Sequence, residues 1–437
     1  MGIGNVVEAE RDAATEAEQL LQQYTALSKQ LGEAKRSGAA LTALKAEHKR
    51  VFDRLQVVSP RKPGKLNKAQ ELRLHVDLLT EPDQLRDLRQ PWDDMLERIG
   101  NYSPFVTWEW WWPWLQSFSA LRQPYVLVAK DQQGLLHGAL PLSQDARRPR
   151  QAYFVGSGCG PDPAYVSPPM ANAQALGLLL GALRDSPINS VSWQQCPVDD
   201  RLSEILTALA KEDWQMSLRI RRHYVHGELP STWDAYVDGV PNKNRRNLLR
   251  HQFEQLEQAW GTPVCGVHTA ASDEAYAVIA QMARFNVHRR ALLGDRSRWQ
   301  DITFQRCLDH VTELFAGRGW LRLVTIHVGD ELAAALLGWA YRGTFFAYQI
   351  GTHPQHADLG LGHCIISHAI RSSIEEGLQR FEMLGQASQF KRTYFPGLTP
   401  AATVVLGPDR SDYWLGVGWD ALRRAAIARL REVKHGA

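Results

Sequence analysis

Cysteine is scarce in this sequence, and its distribution argues against metal or disulfide chemistry. Among 437 residues there are five cysteines: Cys159, Cys196, Cys265, Cys307 and Cys364. None of them belongs to a CxxC pair or has a histidine at metal-ligand spacing, so we expect buried or inert thiols. His363 and His368 are five residues apart, which places them on different faces of a helix. We therefore expect no metal site.

Long apolar runs are also lacking. The longest two, residues 175–183 and 332–341, are too short to span a bilayer. The first residues carry acidic and polar side chains after a very short apolar run, unlike a signal or transit peptide. We expect a cytoplasmic protein in a reducing compartment.

A strong excess of charge of either sign is missing as well. The 50 Lys+Arg and 47 Asp+Glu residues leave a formal charge of +3, which is too small for this length to predict DNA binding. Hydrophobic residues make up 44% and charged residues 22%, as in an ordinary folded protein. The length favours two or three domains.

The first part of the chain has helix-forming composition. Residues 7–55 are rich in Ala, Glu, Gln, Lys and Leu, and their apolar positions repeat at spacings of three and four on both sides of a break at Arg36-Ser37-Gly38. This pattern predicts an α-helical coiled-coil hairpin over residues 1–58, followed by a basic, Pro- and Gly-containing linker over residues 59–71. Two interpretations stay open: an arm that packs on its own body or a second subunit, and an arm that binds a protein partner.

The rest of the chain alternates strand-like and helix-like segments, which predicts an α+β fold. Two domains are expected, residues 72–228 and 229–437, and their predicted elements are compatible with the same fold in both. Predicted helices cover residues 92–99, 107–118, 174–184, 202–212, 242–260, 274–287, 303–317 and 363–377. Predicted strands cover residues 72–79, 125–129, 135–142, 190–195, 218–226, 321–328, 333–341, 344–350 and 380–384. A last helix at 414–434 either packs on the body or touches a membrane surface.

The most informative stretch, residues 345–370, reads as a strand, a loop with Gly-x-Gly, and a helix. Gly360 and Gly362 allow backbone amides to approach a bulky anion, and the helix that follows directs its free N–H groups and positive dipole end to the same point. The alternative is that these glycines only cap and connect the helix. The predicted anion-binding residues are Ile350, Gly351, Leu359, Gly360, Leu361, Gly362 and His363.

An antiparallel meander that feeds such a helix and then returns to a strand resembles the core of the GNAT acyltransferases. Segments 105–112, 242–250, 286–290 and 381–391 look like those of the CelD/BcsL-type acetyltransferases, and the resemblance covers residues 72–408. It implies two tandem GNAT-like domains, with acetyl-CoA or another acyl-CoA as donor and a saccharide or an exopolysaccharide or cell-envelope precursor as acceptor. One departure is Ala357, which stands where the family usually has Gln or Arg.

Residues 390–395 are also similar to a segment of the Fem-type peptidoglycan bridge transferases. That resemblance implies an alternative reaction, in which aminoacyl-tRNA is the donor; tRNA is expected as a partner only in that case. A third hypothesis is a catalytically degenerate GNAT scaffold in an exopolysaccharide assembly, which Ala357 favours.

Direct acyl transfer needs a base, polarisation of the thioester carbonyl and a proton for the leaving thiolate. The candidate catalytic residues are Glu382, Lys391, His288 and Tyr394. Each has a structural alternative: a salt-bridged carboxylate, a solvated lysine, an exposed histidine and a packed aromatic ring. The candidates for binding the acceptor are Arg245, Arg289 and Trp108, through phosphate contacts or stacking on a sugar ring.

Overall fold

The structure, a computed structural model, describes residues 73–101, 103–211 and 214–407. The predicted hairpin at 1–58, the linker at 59–71 and the helix at 414–434 lie outside the described residues. We refer to residues 73–228 as the first half and to residues 229–407 as the second half.

The described residues form twelve strands. They are β1 (His75–Leu79), β2 (Arg122–Lys130), β3 (Leu136–Asp145), β4 (Arg148–Phe154), β5 (Ser190–Pro197), β6 (Gln215–Glu228), β7 (Pro263–His268), β8 (Leu321–Val328), β9 (Glu331–Tyr341), β10 (Thr344–Thr352), β11 (Arg380–Glu382) and β12 (Gly397–Gly407).

Eleven α-helices accompany these strands within the described ranges. They are α1 (Pro82–Asp87), α2 (Arg89–Arg98), α3 (Trp108–Ser117), α4 (Ala173–Arg184), α5 (Asp200–Lys211), α6 (Trp233–Gly239), α7 (Lys243–Ala259), α8 (Asp273–Leu292), α9 (Ile302–Gly317), α10 (Leu361–Glu375) and α11 (Gln389–Arg392). Short 3₁₀ helices cover Pro104–Val106, Arg298–Gln300 and Pro354–Leu359. Of the helices described, none is both long and apolar enough to cross a membrane.

All twelve strands belong to one sheet, in the order β1-β2-β3-β4-β5-β12-β6-β11-β10-β9-β8-β7. Neighbours are antiparallel except for two pairs, β4 with β5 and β10 with β11, which are parallel. Each parallel pair is joined by a crossover helix, α4 in the first half and α10 in the second. The two halves therefore repeat one arrangement, a meander followed by a parallel pair.

The two halves share their central strands. The last strand, β12, lies between β5 and β6 of the first half, and β6 in turn pairs with β11 of the second half. The boundary predicted between residues 228 and 229 falls directly after β6, but hydrogen bonding continues across it through the sheet. This interlacing brings loops of the first half beside strands of the second.

Alternation along β10 divides the second half into two cores, because successive side chains of a strand point to opposite faces. Phe345 stacks on Phe381 at 4.8 Å on the face covered by α7 and α10. Phe346 faces α8, α9 and the first half, where it meets Phe105 at 5.9 Å. Residues of the first half, such as Phe105, thus pack on one face of the strands of the second half.

Candidate functional site

The parallel strands β10 and β11 pair over only three residues. Their partners are Thr344 with Arg380, Phe345 with Phe381 and Phe346 with Glu382. Strand β10 then has an irregularity between Ala347 and Gln349 and continues to Thr352 beside β9, whereas β11 ends. Glu382 is therefore the last paired residue before the two strands stop sharing hydrogen bonds.

Glu382 is buried, with 3% of its surface exposed, and both of its oxygens are bonded. The Tyr165 hydroxyl donates to Oε2 at 2.5 Å, and Arg380 Nε donates to Oε1 at 2.8 Å. Burial raises the pKa of Glu382 to about 7, although Arg380 and Tyr165 both favour the ionised form. This carboxyl can therefore take up and release a proton near neutral pH.

Tyr165 reaches Glu382 from the loop between β4 and α4 of the first half. Its backbone has φ of +51°, which is uncommon for a residue with a large side chain, and its ring lies 4.8 Å from that of Tyr224. The same loop supplies Asp162, whose backbone carbonyl accepts a hydrogen bond from Tyr348 at 3.2 Å. Asp162 also pairs with Arg298 at 2.8 Å. One loop of the first half therefore lines the place where β10 and β11 part.

Sequence reasoning missed Tyr165 and Asp162. The available signal was Gly156-Ser-Gly-Cys-Gly160, in which all three glycines have positive φ. This loop follows β4 as the Gly-x-Gly loop follows β10. Local patterns do not reveal that it crosses to the second half.

Lys391 closes the end of β11. Its Nζ donates to the carbonyl of Met383 at 3.1 Å and also to that of Leu384, whose φ is +46°. Burial, and secondarily the charge of Arg222, lowers the pKa of Lys391 to about 8. Lys391 thus holds two backbone carbonyls, and is neither a solvated side chain nor, in this arrangement, a phosphate ligand.

The start of α10 has the geometry expected of an anion site. Gly360 precedes it with φ of +66°, and no side chain caps the helix. The amide of His363 donates to the Gly360 carbonyl at 2.7 Å, whereas the first amides of a helix, those of Leu361 and Gly362, have no partner within it. A Cβ on Gly362 would meet only Phe390, at 3.8 Å, so the packing of the protein does not itself require glycine there.

Arg245 lies beside this helix start. It is 8% exposed, and its guanidinium lies over the ring of Tyr394 at 4.3 Å. Its Nε and Nη2 have no hydrogen-bond partner within the part of the chain that the structure describes. A buried cation with unpaired donors is costly unless something binds them. Arg245 is predicted to bind the acceptor; helix packing puts it beside Tyr394 and His363, next to the predicted anion site.

Tyr394 connects Arg245 to α10. Its hydroxyl lies 2.6 Å from His363 Nδ1, and burial raises its pKa, so the hydroxyl keeps its proton. Burial and the nearby charge of Arg245 lower the pKa of His363 to about 4, so this imidazole is neutral near pH 7. Tyr394 is 4% exposed. The helix start is thus bordered by one fixed cation and two neutral polar groups.

Other predicted residues lie elsewhere. Trp108 is 5% exposed, stacks on Trp112 and donates its indole N–H to the Leu85 carbonyl, so it has no face for a sugar ring and that expectation is corrected. His288 and Arg289 are exposed near the end of α8.

The predicted residues of β10 and of the loop after it have structural roles as well. Gly351 is needed for packing, because a Cβ there would lie 2.8 Å from the carbonyl oxygen of Met282 on α8. Ile350 and Leu359 pack against the core beside α10. Within the described ranges no group of three or more His, Cys, Asp or Glu residues is arranged to hold a metal ion.

Comparisons with known proteins agree with this fold. Residues 243–392, which include α7, Glu382 and Lys391, match the model of the acetyltransferase (GNAT) domain. No curated protein sequence matches the chain. The structure of FemX superposes with a TM-score of 0.51 and 10% identity, over 75% of this chain and 96% of that one.

Two further solved structures are similar in outline. One is L-PGS from Bacillus licheniformis, with a TM-score of 0.47 and 11% identity over 77% of this chain and 95% of that one. The other is a tandem GNAT protein from the clavulanic acid biosynthesis pathway, with a TM-score of 0.43 and 14% identity over 77% and 99%. At these identities the FemX similarity shows the fold. The domain match covers residues 243–392 and does not extend to the first half.

Proposed function

We propose that this protein is a GNAT-type acyltransferase that moves an acetyl or another acyl group from CoA to an amine or hydroxyl of a saccharide or cell-envelope precursor. The observation that carries the proposal is that β10 and β11 stop pairing after Glu382, while the helix that connects them, α10, begins without a side-chain cap. Both features lie inside the GNAT domain. The acceptor class rests on the resemblance to CelD/BcsL-type acetyltransferases.

The donor side of this proposal uses the start of α10 and Arg245. The amides of Leu361 and Gly362, which have no partner within α10, suit the pyrophosphate of CoA, since helix starts favour anions. Arg245 would supply the cation that Ala357 does not provide, through its two unpaired donors. The position of Arg245 thus removes the main argument for a degenerate scaffold.

The transfer step requires one base and one acid. Ionised Glu382 takes the proton of the acceptor amine or hydroxyl, whose nitrogen or oxygen forms a bond to the thioester carbonyl carbon as the C–S bond breaks. The leaving thiolate takes its proton from water, and Tyr394, whose pKa is raised by burial, offers it a hydrogen bond without giving up its own proton. No covalent enzyme intermediate is needed.

Calorimetry of the full chain with acetyl-CoA and with CoA tests the donor assignment. Arg245→Gln should weaken binding by about tenfold or more, because a charge-assisted hydrogen bond to a phosphate is lost. Arg250→Gln is the matched control: it lies on the same helix, is half exposed and pairs with Asp238 at 2.5 Å. It should bind as the unaltered protein does.

Absence of binding to both acetyl-CoA and CoA would contradict the proposal. A gel-shift experiment with aminoacyl-tRNA then tests the alternative donor, and failure there too leaves the scaffold hypothesis. If CoA binds, a thiol-release assay over saccharide and amine acceptors identifies the acceptor.

A further inference from the structure

The turn after α8 exposes an unusual amount of apolar surface. Leu292 is 75% exposed and Leu293 is 59% exposed, at the end of a helix of 20 residues. Across the turn, Ile302 at the start of α9 is 57% exposed. We call residues 288–296 the leucine tip; every one of them is exposed.

The leucine tip is fixed in this exposed position by its own hydrogen bonds. The amides of Leu293 and Asp295 both donate to the Arg290 carbonyl, at 3.1 and 2.9 Å, and Gly294 has φ of +68°. Just beyond the tip, the Ser297 hydroxyl donates to Asn286 Oδ1 at 2.7 Å. These contacts form an ordered helix end that presents its two leucines outward.

Basic side chains surround the two leucines. Arg289, Arg290 and Arg296 are exposed, and the single acidic residue of the tip, Asp295, pairs with Arg290 at 3.2 Å. An apolar pair bordered by arginines is the composition of segments that insert into the interface of an anionic bilayer. Residues 408–437 contain more basic than acidic residues, so that segment does not complement this charge.

We propose that the leucine tip docks on the surface of an anionic phospholipid membrane. Leu292 and Leu293 enter the acyl-chain boundary, and Arg289 and Arg296 contact lipid phosphates. The same loop continues to Arg298, which pairs with Asp162 beside the separated strands. A docked protein would therefore hold the place where β10 and β11 part close to the membrane. Docking itself does not depend on the proposed reaction.

Vesicle co-sedimentation of the full chain tests the proposal. The protein should bind vesicles of equal parts phosphatidylcholine and phosphatidylglycerol much more strongly than vesicles of phosphatidylcholine alone. Leu292→Ser with Leu293→Ser should reduce that binding by at least about tenfold. The matched control is Leu121→Ser with Leu178→Ser, two leucines of the first half that are 44% and 38% exposed; this variant should bind as the unaltered protein does.

A second variant separates charge from insertion. Arg289→Gln with Arg296→Gln should weaken binding to the anionic vesicles and leave the residual binding to neutral vesicles unchanged. The proposal is overturned if the unaltered protein ignores both vesicle types, or if the Leu292 and Leu293 variant still binds fully. It is also overturned if that variant instead dissociates an oligomer in sedimentation without vesicles, since the leucines would then bind a second copy. Circular dichroism confirms that each variant is folded.

Discussion

Helices α4 and α10 follow equivalent strands in the two halves, but they begin in different ways. In the first half, the Asn172 side chain accepts a hydrogen bond from the Ala175 amide at 2.8 Å and so caps α4. In the second half, Gly360 precedes α10 and offers no side chain. An N-cap side chain satisfies amides that would otherwise be free for a ligand. A side chain therefore caps the start of α4 in the first half, whereas no side chain caps the start of α10 in the second half.

The loops that lead into these helices differ in a complementary way. The short 3₁₀ helix Pro354–Leu359 connects β10 to Gly360. The loop after β4 is longer and carries Tyr165 to Glu382 in the second half. The two halves share one strand arrangement but have different roles. The second half presents the uncapped helix start, and the first half contributes Tyr165 to the site in the second half.

The strand ends differ as well. Both parallel pairs are three residues long. Strand β5 continues to Pro197 and pairs there with Ala401 of β12, whereas β11 ends at Glu382 and the next carbonyls are held by Lys391. The end of β5 is therefore held by its neighbour β12, whereas the carbonyls just after β11 are held by the Lys391 side chain.

The largest expected effect concerns Glu382, which has no acidic counterpart on β5. Glu382→Gln should lower kcat by about 10² to 10⁴, the usual contribution of a general base. Glu228→Gln is the control, since Glu228 is 72% exposed and pairs with the same Arg380 at 3.1 Å. Its activity should stay within about twofold of the unaltered enzyme, as for an exposed ion pair. The thiol-release assay measures both, and equal rates for the two variants would rule out Glu382 as the base.

The next effect tests the lysine that holds the backbone just after β11. Lys391→Met should lower the free energy of unfolding by about 1–3 kcal/mol, because the buried carbonyls of Met383 and Leu384 lose their donor. Lys130→Met removes a first-half lysine that pairs with Asp77 at 3.0 Å, and should cost less than about 1 kcal/mol. Urea denaturation compares the two. Similar losses would show that Lys391 has no special part in holding the end of β11.

A smaller effect compares the two helix starts directly. Gly362→Ala should raise stability by about 0.5–1 kcal/mol, since alanine is the better helix former and the new methyl group makes only an ordinary contact with Phe390 at 3.8 Å. It should nevertheless weaken CoA binding about tenfold by blocking approach to the amides. Gly177→Ala on α4, where a new methyl group meets nothing within 4 Å, should give a similar gain in stability and leave binding unchanged. Unchanged CoA affinity in Gly362→Ala would refute the assignment of the α10 start as the anion site.

Much of this fold could be predicted from local patterns. The meander β8 to β10, α10 and β11 were all expected within a few residues of their bounds, because hydrophobic alternation and turn-forming glycines are local signals. Arg342-Gly343 turns with positive φ at both residues, as such a hairpin requires. Strand β12 was missed, because its first four residues, Gly-Leu-Thr-Pro, include two residues that are rare in strands and because its partners β5 and β6 belong to the other half.

Some residues of the candidate site could likewise be predicted from local patterns, and others could not. Glu382 and the Gly-x-Gly helix start could be predicted because their neighbours in the sequence define them. Tyr165 could not, since its partner Glu382 is 217 residues away. Arg245 was recognised as a ligand candidate from its basic surroundings, but only the packing of α7 shows that it lies beside the start of α10. Contacts between the two halves therefore cannot be predicted from local sequence patterns.

The smallest expected effect tests whether the first half tunes the base of the second. Because Glu382 must be ionised to accept a proton, and burial raises its pKa to about 7, activity should rise as pH passes through that region. The Tyr165 hydroxyl bonds to the ionised form, so Tyr165→Phe should raise the pKa further and move the rise in activity to higher pH.

Tyr224→Phe is the matched control for this shift. It removes a buried hydroxyl from the ring next to Tyr165, but that hydroxyl bonds to Gln195 at 2.6 Å instead of Glu382. Its profile of kcat/KM against pH should keep the original midpoint even if the protein is less stable. A shift in both variants would mean that loosened packing alters the site, whereas a shift in Tyr165→Phe alone would mean that one hydrogen bond between the halves sets the pH at which the base works.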